Sequence, residues 1–96
     1  MLSGEFRVSA IREYDTVRIV RLFRQERDFD GTPGSSRAPE IGDTAAVVHE
    51  YDPADATAPV VVECVDSQGN TVWLADFDKD ELELVARPNP GCTSER

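Results

Sequence analysis

Apolar residues in this chain gather in short runs rich in β-branched side chains, separated by clusters of Gly, Pro, Asp and Asn. Residues 14–23 alternate Val17 and Ile19 with Thr16 and Arg18, the period of two that marks a half-buried strand. Val20 breaks the alternation, so this strand ends either covered on both faces or with a bulge. Ala45, Ala46, Val47 and Val48 predict a second strand, which Pro53 and Pro59 close off in a wide hairpin loop. Residues 60–65 and 71–77 flank Ser67-Gln-Gly-Asn70, the spacing of a tight β-hairpin. Asp78-Lys-Asp-Glu81 predicts a compact helical or 3-10 turn in solvent, after which Leu82, Leu84 and Val85 return to the core as a closing strand. The predicted class is all-β.

Upstream, Phe6, Val8 and Ile11 supply an edge strand or a short turn within the lead, residues 1–13. Downstream of Arg87, Pro88-Asn-Pro-Gly-Cys-Thr-Ser-Glu-Arg96 reads as a disordered tail. At 96 residues the chain suits one small domain, here residues 14–86.

Two features stay open at this level. Residues 24–42, punctuated by Asp28, Asp30, Gly31, Pro33, Gly34 and Pro39, form a connection longer than compact domains usually carry. It is either a linker between strands or an arm that contacts a ligand. Alternation puts Val72 and Leu74 on one side of their strand and Thr71, Trp73 and Ala75 on the other. Trp73 is then either a packing residue or an exposed anchor for a partner, a role in which tryptophan is enriched.

Charge sharpens the picture. The net charge is −9, and it is uneven: residues 1–37 carry seven arginines against six acids, residues 38–96 three bases against thirteen acids. Such a field repels phosphate backbones and favours basic proteins. It serves either solubility alone or an acidic face aimed at a basic partner. Arg7, Arg12, Arg18, Arg21, Arg24 and Arg27 form no basic stripe, because Glu13, Asp15, Glu26 and Asp28 sit among them.

Candidate chemistry is sparse. His49 is the only histidine, too few for a zinc site or for a triad with partners at a known spacing. Cys64 sits in an apolar strand and reads as a small buried hydrophobe, while Cys92 lies in the polar tail. Gly31-Thr-Pro-Gly34 has a proline where a phosphate loop needs backbone donors, and no lysine follows it. Nineteen acids on a small surface create accidental carboxylate pairs, so pairing alone does not identify acid–base catalysis. The expectation is a nonenzymatic protein without cofactor or metal. No apolar run approaches the roughly 20 residues of a membrane span, and the N-terminus lacks a signal-peptide layout, so a cytoplasmic location is expected.

The order strand, long loop, strand, hairpin, strand, helical turn, strand is that of a small SH3-like barrel. Ile41-Gly42-Asp43 before Val47-Val48, then Val62-Glu63-Cys64-Val65-Asp66, Gly69, Thr71 and Leu82, resembles a bacterial family of small SH3-like domains of unknown function, akin to KOW-type barrels. The likeness covers residues 14–86, with Ala45 where the family carries glycine, Cys64 where it carries an aromatic, and a longer loop before Gly42. It implies a five-stranded barrel with one 3-10 turn before the last strand. A small, acidic, single-domain chain without candidate chemistry fits the profile of bacterial immunity proteins and antitoxins, so the expectation is a noncatalytic protein-binding domain that neutralises a basic toxin. Alternatives are an enzyme accessory subunit or a KOW-like module associated with RNA or the ribosome. Candidate partner-binding residues are Trp73, Asp76, Asp78, Asp80 and Glu81, joined by Asp28, Asp30 and Arg37 from the long loop.

Overall fold

A computed structural model describes residues 11–24 and 26–87. They form β1 (Thr16–Ile19), β2 (Thr44–Glu50), β3 (Val60–Val65), β4 (Thr71–Phe77), a 3-10 turn (Lys79–Glu81) and β5 (Leu82–Ala86). Every pairing is antiparallel, and the five strands lie in the order β4-β3-β2-β1-β5. The all-β expectation and the 3-10 turn both hold. Phe6, Val8 and the tail with Cys92 fall outside the described residues.

The register explains why these apolar runs cooperate. Val17 lies opposite Ala45, Val47 opposite Val62, and Val62 opposite Ala75. Val60 and Cys64 face Phe77 and Trp73 on β4, while Val17 and Ile19 face Leu84 and Leu82 on β5. Side chains directly opposite across a ladder share a face of the sheet. One face therefore collects almost the whole core, and Ile11 joins it from the turn ahead of β1. Trp73 and Phe77 pack together with ring centroids 5.3 Å apart. The opposite face carries the alternating partners Thr16, Arg18, Ala46, Glu63, Leu74 and Asp76.

Three details depart from the sequence expectation. The first strand spans Thr16–Ile19 rather than residues 14–23. Tyr14 adopts a left-handed backbone (φ 76°), and beyond Ile19 the N–H groups of Val20 and Arg21 turn to the Glu81 carbonyl (2.9 and 3.4 Å). Val85 does not return to the core: β5 alternates, and with Leu82 and Leu84 inward Val85 is 41% exposed. Lys79 and Glu81 are buried, although the acidic run that contains them reads as a solvated turn.

The β3–β4 hairpin forms where expected. Its turn is held by Asp66, whose Oδ1 accepts the N–H groups of Gln68 and Asn70 (both 2.9 Å), and Gly69 supplies the positive φ (86°).

Val62→Ala, at the centre of the paired core, is expected to lower unfolding free energy by about 2 kcal/mol in urea denaturation. Val65→Ala, on an exposed side chain at the end of the same strand, should change it by less than about 0.5 kcal/mol.

Candidate functional site

The β1–β2 connection is the feature that shapes the surface. Its middle lies against the outward edge of β4. Asp30 exchanges two backbone hydrogen bonds with Leu74, its N–H donating at 3.0 Å and its carbonyl accepting at 2.8 Å. The N–H groups of Thr32 and Arg37 reach the carbonyls of Thr71 and Val72 (2.8 and 3.1 Å). Gly31 permits this approach, because a Cβ there would stand 2.4 Å from the Ser36 Cβ and 2.8 Å from the Val72 carbonyl oxygen. The connection thus occupies hydrogen-bonding groups that an edge strand would otherwise present to other chains.

Two carboxylates pin its ends. Near the start, Glu81 is wholly buried and accepts the N–H groups of Phe23 (2.7 Å) and Asp78 (3.0 Å). It also receives the Arg27 guanidinium at 2.5 Å, and that guanidinium lies 4.1 Å above the Phe77 ring centroid and donates to the Asp76 carbonyl (2.8 Å). Near the end, Asp43 takes both Arg37 terminal nitrogens (2.8 and 2.9 Å), the Glu40 N–H (3.0 Å) and the indole N–H of Trp73 (2.9 Å). Burial pushes both carboxyls up, but the arginine and N–H donors outweigh it and hold each below its ordinary value.

The predicted site residues divide accordingly. Trp73 is wholly buried, with its one polar atom committed to Asp43, so it is a core residue and not an exposed anchor. Glu81 is withdrawn from solvent by its pairing with Arg27, which removes it from any docking surface. Arg37 is exposed but bound bidentately to Asp43. Asp78 is half-buried, while Asp80, Asp76, Asp28 and Asp30 face solvent.

The structure brings three of these acids together. Asp28 and Asp30 of the connection and Asp76 of β4 line a groove of about 360 Å³ between the connection and the outer face of β3–β4. Its apolar surface comes from Phe29, Tyr51, Val61 and Leu74, and the Tyr51 hydroxyl donates to Asp76 Oδ1 at 2.8 Å. Phe29 (36% exposed) and Tyr51 (52%) are the residues sequence reasoning missed. The signal was present, since each is an aromatic stranded among polar loop neighbours.

Neither the histidine nor the described cysteine lines this groove. His49 is exposed and meets Tyr51 edge-on, with centroids 5.4 Å apart. Cys64 is buried, and burial pushes its thiol up, away from the reactive thiolate. Among the described residues, no group of three or more His, Cys, Asp and Glu side chains is placed to hold a metal ion. No known protein family, curated protein or solved structure matches this chain.

Because Glu81 and Asp43 have folded-state pKa values below their unfolded ones, their stabilisation is complete above about pH 4–5 and is lost as pH falls through the folded values. Glu81→Gln is expected to cost about 3 kcal/mol at neutral pH, since it leaves Arg27 buried without its counter-charge. It should also flatten the acid limb of a plot of urea midpoint against pH. Adding Arg27→Met to that variant should restore part of the loss.

Proposed function

We propose that this chain is a noncatalytic protein-binding domain, an immunity protein or antitoxin that neutralises a cognate toxin by covering a basic surface. One observation carries it: most of the described arginines are paired within the molecule, while surplus carboxylates face out. Arg12, Arg18, Arg27 and Arg37 are each ion-paired with Glu50, Glu83, Glu81 and Asp43, and Arg21 donates to the Asp80 carbonyl. The carboxylates of Asp28, Asp30, Asp76 and Asp80 face solvent without an ion-pair partner among the described residues. An outward field of one sign accelerates encounter with a basic protein and disfavours acidic competitors and phosphate backbones.

We further propose that the sheet curls into an SH3-like barrel. Two features support this. The strands bury one common face, and no second layer among the described residues covers it, so curvature of the sheet itself is the economical way to enclose that core. The 3-10 turn also leads from β4 at one end of the strand order to β5 at the other.

The test is co-expression with the product of the adjacent gene. Restored growth of cells arrested by that product, together with a stable complex on size exclusion, is the expected outcome. The triple variant Asp28→Lys, Asp30→Lys, Asp76→Lys should keep its circular dichroism spectrum and weaken the complex by about tenfold or more. An acidic partner would overturn the reading. So would RNA binding that falls steeply with added salt.

A further inference from the structure

Within this partner-binding reading, the groove between the connection and β3–β4 defines what part of a partner is held. We propose that it takes an extended, basic segment of a partner protein, led by one arginine or lysine side chain flanked by apolar residues. The alkyl stem of that side chain lies against Phe29, Tyr51 and Leu74, and its cationic head meets the carboxylates of Asp28, Asp30 and Asp76.

Three observations select this occupant. First, the charge in the groove is lopsided. Asp28, Asp30 and Asp76 face Arg24 and Arg27. Arg27 is already neutralised by Glu81, and Arg24 makes no ion pair among the described residues. The local balance therefore favours a cation on the occupant. Second, side chains and not an added strand must do the recognising. Asp30, Thr32 and Arg37 already occupy the outward carbonyls of Thr71, Val72 and Leu74 and the Leu74 N–H, which closes the edge of β4 to strand addition. Third, Arg27 lines the groove with a side chain only 5% exposed and its guanidinium committed to Glu81 and the Asp76 carbonyl, so it leaves the groove carboxylates to a cation from outside.

The aromatic wall is held in place. The Tyr51 hydroxyl donates to Asp76 and fixes one side, leaving Oδ2 of that carboxylate as an acceptor for an incoming cation. Phe29 stands between Asp28 and Asp30 on a segment that the Asp30–Leu74 bonds hold against the sheet. An arginine entering there meets an aromatic face and carboxylates together, an arrangement worth more than either alone once water is displaced.

The probe is a fluorescein-labelled peptide, Gly-Ser-Leu-Arg-Leu-Ser-Gly, titrated against the full chain by anisotropy, with two controls: Glu in place of Arg, and Ser in place of both Leu. The Arg peptide is expected to bind about tenfold or more tightly than the Glu control and several-fold more tightly than the Ser control. Asp28→Asn with Asp76→Asn should erase most of that preference while leaving the thermal midpoint unchanged, and Arg24→Gln should raise affinity about twofold by removing a competing cation. Amide shift changes in NMR should centre on Phe29, Tyr51 and Leu74. Equal binding of the Glu control overturns the proposal, as do shifts centred elsewhere, or a concentration-dependent dimer that buries these same residues. A protein partner that binds the double Asn variant as tightly as the parent overturns the groove alone and leaves the partner-binding reading standing. Peptide binding without any protein partner upholds the groove and removes the immunity reading.

Discussion

The buried contact between Glu81 and Arg27 is the constraint on which the surface of this protein depends. It joins the 3-10 turn before β5 to the start of the connection that follows β1, and the guanidinium then rests on Phe77 in the core. A carboxylate without solvent is tolerable only with full hydrogen bonding, and Glu81 has it from Phe23, Asp78 and Arg27. Asp43 performs the matching task at the other end through Arg37 and Trp73. A connection that reads as loose in composition is held at both ends and in the middle.

That anchoring changes what the outer face of the sheet presents. On its own, the β3–β4 outer face would show Val61, Leu74 and Asp76 as a shallow strip. With the connection laid across β4, the strip becomes one wall of a groove whose other wall carries Asp28, Phe29 and Asp30. The core beneath sets the position of the sheet wall, because the register that pairs Val60 with Phe77 also pairs Val61 with Asp76.

Much of the architecture was legible in the sequence, for identifiable reasons. Alternation in the first strand and the Gly69-Asn70 turn are local signals, and both lead to the observed elements. The exact extent of β1 was not legible, because its ends are set by Tyr14 bonding to Val47 and by Val20 bonding to Glu81. Trp73 was ambiguous because the register slips beside it: Cys64 pairs with Trp73 and Val65 with Thr71, so Val72 and Trp73 are adjacent yet both buried in the core, and alternation loses its meaning. The burial of Glu81 could not be read, since its partner lies 54 residues away and its neighbours are charged. For the candidate site, Asp28, Asp30 and Asp76 were legible as surplus charge. Their meeting with Phe29 and Tyr51 depends on the connection folding back, which no local pattern announces.

The unequal margins of the sheet carry one last consequence. β4 has its outward groups engaged by the connection, whereas β5 pairs only with β1 among the described residues. Propagation of a sheet from molecule to molecule needs two adhesive margins on each copy, and the described residues of this one offer a single candidate. Two copies meeting through β5 would exhaust each other and stop at a symmetric pair. The fold thereby resists growth into fibres, and the protection comes from the β1–β2 connection.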